Sequence, residues 1–354
     1  MEQALAAPSR ALALLEEIGA EELVFVHDRA SGLRAIVAIH DTTLGPAVGG
    51  TRMRRYPSLD DAAVDALRLA RAMTYKAAMA GLDRGGAKGV IVGDPARDKT
   101  RALLGAYARV VDRLGGRFAT GGDMGIDIRD VAVLSRLTRW VGHTPREAKH
   151  DAADFAALGV YEGIAAAARA LDRALTGLHV SVQGLGQVGY RLARQLVAAG
   201  ARLTVCDVDD ARSQRAADEL KADVVPAEAI YDVAADVFSP NAAGGIINDD
   251  TIPRLRCAAV VGGANDQLLD PRHGEALHQR GILYGPDYVV NAGGLLSILF
   301  ESGETDEEGL LERIRQIGER VTRIWEEARR QSLPPHRVAD RMAEERLSAA
   351  RAKA

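Results

Sequence analysis

One stretch restricts the folds open to this chain more than any other, the 29 residues from His179 to Asp207. His179 to Gln183 alternates apolar and polar side chains as a strand does, and Gly184-Leu185-Gly186-Gln187-Val188-Gly189 follows it directly. Tyr190 to Ala199 then has helical spacing, and a second strand-like run, Leu203 to Cys206, leads into Asp207, 18 residues beyond Gly189. In this order the three glycines have separate tasks. Gly184 permits a tight turn, Gly186 lets the backbone approach a pyrophosphate, and Gly189 lets the helix pack closely on the strand. Asp207 falls where a carboxylate accepts hydrogen bonds from both ribose hydroxyls and repels a 2′-phosphate. The series predicts a Rossmann-type unit that binds NAD in preference to NADP. A glycine turn followed by a surface aspartate would account for the glycines but not for the whole succession.

That unit does not use up the chain. At 354 residues the sequence exceeds the usual single-domain size, so two cores are expected. Strand-like runs at Val237 to Phe238, Ala258 to Val261 and Ile282 to Tyr284 alternate with helical stretches, which predicts an α/β fold with a parallel sheet. An alanine-rich helix, Ala152 to Leu171, introduces it, and the boundary is placed just before that helix, giving domains 1–147 and 148–330. Glu307 to Arg330 and His336 to Arg346 read as amphipathic helices; the second, within 331–354, returns to the first domain, and Ala349 to Ala354 reads as frayed.

In the first domain, Leu23 to His27 and Leu33 to His40 form a hairpin around a turn-rich Asp28 to Gly32. Ser58-Leu59-Asp60-Asp61 caps a helix that delivers Lys76, and Gly89 to Val92 and Thr100 to Leu114 read as strand and helix. Gly45 to Arg52 and Gly85 to Gly89 read as glycine-rich loops. Neither is a phosphate loop, because the second lacks the Gly-Lys-Ser/Thr ending. A lysine between glycines, Lys88, is suited to close approach to a small substrate, where burial favours the neutral amine that acts as a base. Asp123, in Thr120-Gly121-Gly122-Asp123-Met124-Gly125, is poised to shuttle protons. Spacing alone equally allows Lys76 and Lys88 to be surface lysines and Asp123 a turn residue.

A formal net charge of −4 leaves no field to gather polyanions, and no basic block is interleaved with aromatics, so nucleic acid is not an expected partner. The acidic, alanine-rich stretch from Met1 to Glu22 does not have the layout of a signal peptide, and no apolar run reaches the ~18 residues of a membrane span. Cys206 and Cys257 read as buried free thiols, which favours the cytoplasm. No HExxH, cysteine cluster or paired-histidine spacing appears, so no metal is expected.

The chain strongly resembles the leucine, phenylalanine and valine dehydrogenases of the glutamate dehydrogenase superfamily. The resemblance runs through Leu44 to Met53, Met73 to Lys76, Gly85 to Val90, Gly184 to Gly189, Asn248 to Pro253, Gly285 to Gly294 and Asp340 to Leu347. It implies an N-terminal α/β substrate and oligomerisation domain, a Rossmann-type domain, an active site in the cleft between them, and a homo-oligomer. By position, Lys76 resembles the lysine that holds the substrate carboxylate, aided by the backbone around Gly49 and Gly50. Lys88 resembles the lysine that activates water, and Asp123 the proton relay. Asn265 resembles the asparagine near nicotinamide and substrate, and Leu185, Gln187, Val188, Val208, Ala242 and Asn291 join the glycines and Asp207 in the implied cofactor set. The implied chemistry is reversible oxidative deamination, with hydride passing to NAD and water attacking the iminium.

Three departures from the family pattern stand out. Ala87 replaces a glycine before Lys88, Ala156 replaces a threonine whose hydroxyl lies near the nicotinamide amide, and Thr144 to Asp154 lacks the usual inter-domain glycines. Loss of the hydroxyl implies roughly 1 kcal/mol less cofactor affinity, and the missing glycines bear on hinge behaviour. Side-chain selectivity falls on Val48, Gly121, Leu295 and Ile298. Glutamate-specific relatives carry lysine and serine at the positions of Val48 and Ile298; both are aliphatic here, so a second carboxylate, and with it glutamate, is disfavoured. Gly121 enlarges the pocket and Leu295 fills it, leaving leucine, valine and isoleucine favoured and phenylalanine or tryptophan as the alternative. A non-catalytic NAD-binding protein is the alternative of another class.

Overall fold

The computed structural model describes residues 9–142 and 151–353, and the boundary expected at 147/148 lies outside them. Two compact units divide the chain, one comprising Met1–His143 with Glu344–Ala354 and the other Thr144–Ala343.

The first unit is a sheet with a helical layer on each face. Its strands are β1 (Glu22–Asp28), β2 (Leu33–Asp41), β3 (Ala47–Arg54), β4 (Gly85–Val92) and β5 (Phe118–Gly122), and its helices are α1 (Arg10–Ile18), α2 (Leu59–Ala80), α3 (Arg101–Arg113) and α4 (Ile128–Leu134). The strand order is β1-β2-β4-β3-β5. The β1–β2 hairpin is antiparallel, β2 runs antiparallel to β4, and β4, β3 and β5 are parallel. Successive side chains of a strand face opposite sides, and β2 shows the consequence. Ala35, Val37 and Ile39 enter a core shared with α3 and α4, while Ile36 and Ala38 enter a second core with α1 and α2.

Helix α2 begins at Ser58, whose hydroxyl accepts the Asp61 N–H at 3.0 Å, with Asp60 and Asp61 at the positive end of the helix dipole. Its sheet-facing side is lined by buried alanines, among them Ala62, Ala63, Ala66 and Ala70, which lets it approach closely. That approach corrects two expectations. The glycine-rich stretches read as loops are strands, β3 from Ala47 and β4 from Gly85 onward. A Cβ on Gly49 would lie 1.7 Å from the Ala87 carbonyl oxygen, and one on Gly86 would lie 2.1 Å from the Thr74 nitrogen in α2. These glycines mark tight packing between elements rather than turns.

The second unit is doubly wound. Strands β6 (His179–Gln183), β7 (Arg202–Cys206), β8 (Asp223–Val224), β9 (Val237–Pro240), β10 (Ala259–Val260) and β11 (Leu283–Tyr284) are ordered β11-β10-β9-β6-β7-β8, with every pair parallel. The helices are α5 (Ala152–Ala170), α6 (Gln187–Ala198), α7 (Asp210–Leu220), α8 (Pro271–Gln279), α9 (Asp287–Val290), α10 (Gly293–Leu296), α11 (Ile298–Glu301) and α12 (Glu307–Gln331). Strand order reverses between β6 and β9, so the loops at their carboxyl ends diverge and leave a crevice where such folds bind ligands. The Trp325 indole N–H donates to the Tyr284 carbonyl at 2.8 Å and ties α12 to β11. The last helix, α13 (Pro335–Arg351), corrects the frayed end expected from Ala349. Arg351 bonds to Asp41 and Arg346 donates to the Ala78 carbonyl at 2.7 Å, so first-unit partners hold the helix to its end.

His336 opens α13 in a tight place. It is 7% exposed, its ring would meet a Cβ on Gly274 at 2.3 Å, and neither ring nitrogen has a hydrogen-bond partner among the described residues. Burial, aided by Arg337, pushes the imidazole down to about 4. The unfolded chain therefore binds a proton near pH 6.5 that the folded one refuses, and stability falls as pH drops from there towards 4. Denaturant titrations from about pH 7 to pH 4.5 should show a loss of roughly 2–3 kcal/mol that is absent in His336→Leu. Parallel curves for the two proteins would show that His336 is not the source.

Candidate active site

Every residue of β4 is buried, and Lys88 is among them at 6% exposure. Ala87 and Ile91 belong to the core under α3, whereas Val90 belongs to the core under α2, so alternation turns Lys88 and Gly86 to the α2 side. Its Nζ lies 2.5 Å from Asp123 Oδ2. Asp123 follows β5 in a turn closed by the Ile126 N–H donating to its carbonyl at 2.9 Å, and its Oδ1 accepts the Met124 N–H at 2.7 Å. Arg52, on β3, brings a second cation: its Nε lies 3.2 Å from the same Oδ2. Burial pushes the Asp123 carboxyl up, but Lys88 and Arg52 outweigh it and hold it below the usual carboxylate range.

The other first-unit residues gather around the same strands. Val48 is 4% exposed, and Gly50 is paired in register with Gly121. A Cβ on Gly121 would meet nothing within 4 Å, leaving room beside β5. Met73 lies on the same face of α2 as Lys76, three residues on, and its side chain would lie 3.4 Å from a Cβ on Gly49. Lys76 is half-buried. Beneath the site, the Tyr107 and Thr51 hydroxyls are 2.7 Å apart, and those of Thr51 and Thr120 are 2.6 Å apart. A Cβ on Gly89 would collide with that Tyr107 hydroxyl, at 2.0 Å. Arg52 is a residue that sequence reasoning missed. Its signal is the alternation of β3, which puts it on the face of Val48 and Gly50, and a loop at this segment conceals that signal.

In the second unit Gly184 has φ +88°, where a Cβ would also lie 2.7 Å from that of Ala242. A Cβ on Gly189 would fall 1.9 Å from the Gly184 carbonyl oxygen, whereas one on Gly186 meets nothing closer than 4.0 Å. Helix α6 begins at Gln187, earlier than expected from Tyr190, and has no side-chain cap. The first-turn N–H groups of Gln187, Val188 and Gly189 have no acceptor within the helix, and they form the positive end of its dipole, which favours anions. A cavity of about 390 Å³ lies over Leu185, Gly186 and Gln187, walled by Arg191, Arg194, Arg212 and Arg215. These features fit a dinucleotide pyrophosphate. Asp207 follows β7, its Oδ2 accepting the Leu185 N–H at 2.7 Å and lying 3.8 Å from Arg212 Nη1, and Val208 beside it is 94% exposed.

The loops after β9, β10 and β11 are tied together. Asn241, another residue that sequence reasoning missed, accepts the Gly263 N–H at 2.9 Å, and Asn291 Nδ2 donates to Asn265 Oδ1 at 2.8 Å. The buried Asn291 Oδ1 has no hydrogen-bond partner among the described residues, as suits a site that receives a donor from a ligand. Ala156 on α5 faces Gly294, whose Cβ would lie 3.6 Å from its own, next to the half-buried Leu295 and near Ile298. Among the described residues no group of three or more His, Cys, Asp or Glu could hold a metal ion.

Residues 21–141 match the Glu/Leu/Phe/Val dehydrogenase dimerisation domain, and residues 207–354 match the Glutamate/Leucine/Phenylalanine/Valine dehydrogenase domain. Leucine dehydrogenase of Geobacillus stearothermophilus is 44% identical over 341 residues, 95% of this chain and 93% of that protein. Phenylalanine dehydrogenase of Lysinibacillus sphaericus is 43% identical over 319 residues, 87% of this chain and 83% of that protein. The crystal structure of L-tryptophan dehydrogenase from Nostoc punctiforme superposes with a TM-score of 0.84 at 41% identity, covering 96% of this chain and 99% of that one.

The close packing at Gly49 has a measurable cost. Gly49→Ala should lower stability by roughly 1–3 kcal/mol in denaturant melts, because β3, β4 and α2 must separate to admit the methyl group. A melt unchanged from wild type would mean that the seam has slack.

Proposed function

The chain belongs to the glutamate/leucine/phenylalanine/valine dehydrogenase family, and from that premise we propose that it oxidises a small apolar L-amino acid to its 2-oxo acid and ammonia, reversibly, with NAD. The observation that carries this reading is the buried Lys88 paired at 2.5 Å with the half-buried Asp123 among glycine-lined strands. Lys76, with the backbone at Gly49 and Gly50, binds the substrate carboxylate. Asp123, held ionised, accepts a proton from the substrate ammonium, so that the free amine can assist departure of hydride from the α-carbon. The dinucleotide, when bound, supplies the hydride acceptor. Lys88 polarises the water that attacks the resulting iminium and releases one proton to solvent, and Asp123 returns its proton to the nitrogen, so that ammonia leaves as the hydroxyl proton is lost and the 2-oxo acid forms. Asn265 orients the reacting groups.

Leucine, valine and isoleucine are the favoured substrates. Val48 offers no partner to a second carboxylate, and burying one unpaired costs several kcal/mol. The open space at Gly121 favours the second reading, an aromatic substrate, since it admits a larger side chain. Asp207 favours NAD by repelling a 2′-phosphate, against which stands the cationic wall of Arg194, Arg212 and Arg215. The match of residues 21–141 to a dimerisation domain supports a homo-oligomer. A cytoplasmic setting fits two buried free thiols, Cys206 and Cys257, each pushed up by burial to about 11. No described helix is long and apolar enough to cross a membrane.

Absorbance at the NADH band, on adding a panel of L-amino acids with NAD or NADP at alkaline pH, should give the fastest turnover with branched aliphatic substrates and NAD. Coenzyme binding with no turnover on any amino acid would establish the non-catalytic alternative, and faster rates with NADP would overturn the coenzyme assignment. Lys88→Ala should abolish turnover while NAD still binds; near-normal turnover would remove Lys88 from the mechanism. Gly121→Ala adds one methyl group to the pocket and should lower kcat/KM for phenylalanine relative to valine by about 10-fold or more. An unchanged ratio would place the substrate side chain elsewhere.

A further inference from the structure

Asp123 Oδ2 is shared by two cations, and only one of them belongs to the reaction proposed above. Lys88 approaches from β4 at 2.5 Å and Arg52 from β3 at 3.2 Å. Arg52 is not a surface residue that happens to reach the site. Its side chain is 13% exposed, and its Nη1 lies 3.3 Å from Asp65 Oδ2 on α2. That same Asp65 oxygen accepts the Tyr56 hydroxyl at 2.5 Å, and Arg54 stacks over the Tyr56 ring at 4.9 Å. The guanidinium is thus held from both sides, one nitrogen on Asp65 and another on Asp123. A planar fork fixed in this way keeps its charge at a set distance, which a flexible lysine does not. Lys76 lies further along α2, 11 residues beyond Asp65 and about 16 Å along the helix.

We infer that Arg52, anchored by Asp65, is a positioning residue that sets the proton affinity of the Lys88–Asp123 pair and keeps it in its proton-accepting form. Coulomb's law gives the signs. A fixed positive charge disfavours a further proton on either member of the pair, so removing it makes both hold protons more tightly. Removing Asp65 has the opposite effect, because the Arg52 charge is then no longer shared. The catalytic meaning rests on the deamination reading; the charge coupling does not.

Two measurements test it on the full-length protein. The pH dependence of Lys88 acylation by trace acetic anhydride, read by mass spectrometry, reports proton affinity without turnover. The acid limb of kcat/KM for oxidative deamination reports it during catalysis. Arg52→Gln should move both midpoints up by about one pH unit, Asp65→Asn should move both down, and Arg52→Lys should stay nearer to wild type than Arg52→Gln. Coincident midpoints in all the proteins, even with slower turnover, would reduce Arg52 to a packing role and overturn the inference. Should Arg52→Gln fail to fold, the downward shift in Asp65→Asn decides alone. A wild-type protein without dehydrogenase turnover would sink the functional reading, while the labelling midpoints would still decide the charge coupling.

Discussion

A lysine on a strand with both faces covered needs an opposing charge, because removing an isolated ion from water costs several kcal/mol. In the first unit that requirement sets the relation of three strands. Gly89 on β4, Thr51 on β3 and Gly122 on β5 lie in one register row, with Lys88 just before it and Asp123 just after. Two strand spacings, about 9–10 Å, separate β4 from β5. The lysine stem crosses that gap because the strand between them presents Gly50. A Cβ there would lie 3.1 Å from that of Asp123 and 2.5 Å from the Gly122 carbonyl oxygen. Strand order, register and the bare position on β3 together produce the 2.5 Å contact.

The glycines carry a penalty elsewhere. Each one inside a strand gives up about 0.5–1 kcal/mol relative to alanine, and β3 and β4 together hold five. The return is proximity, since Gly86 takes Thr74 of α2 against its backbone and Gly89 takes the Tyr107 hydroxyl from the opposite layer. A helix faced with alanine and strands faced with hydrogen bring the backbones of α2, β3 and β4 close to the Lys88–Asp123 pair. Burial of Lys88 also strengthens the electrostatics of the cluster. The Tyr107, Thr51 and Thr120 hydroxyls give that close-packed seam a satisfied polar floor.

These demands explain which parts were legible from sequence. The strand, glycine turn, helix and aspartate from His179 to Asp207 fold in the order read, with the helix starting three residues early, because every step is local and Gly184 and Gly189 each have a steric reason. The hairpin, the Ser58 cap and the later parallel strands were legible on the same ground. Gly45 to Arg52 and Gly85 to Gly89 were not, because glycine in a strand signals a close neighbour, and local spacing does not say that α2, though adjacent in sequence, folds back onto both strands. Misreading β3 as a loop also hid Arg52, since alternation identifies a face only where a strand is recognised. The helical end at Arg351 was missed for a related reason: its partner, Asp41, lies 310 positions away.

The second unit solves a different problem, holding irregular loops still at the ends of a parallel sheet. Strands β9 and β10 end after a few residues, and the loops beyond them have no ladder to pair with. Side-chain amides substitute for it. Asn241 bonds the Gly263 N–H, Gln267 Nε2 donates to the Gly262 and Ala264 carbonyls at 2.8 and 2.9 Å, and Asn291 bridges to Asn265. Satisfying backbone groups in this way costs the side chains their own partners, and Gln267 Oε1 and Asn291 Oδ1 are left as buried acceptors without one among the described residues. Such an acceptor costs about 1–3 kcal/mol while unmet. A ligand that brings an N–H to Asn291 recovers part of that energy, whereas a purely apolar one does not.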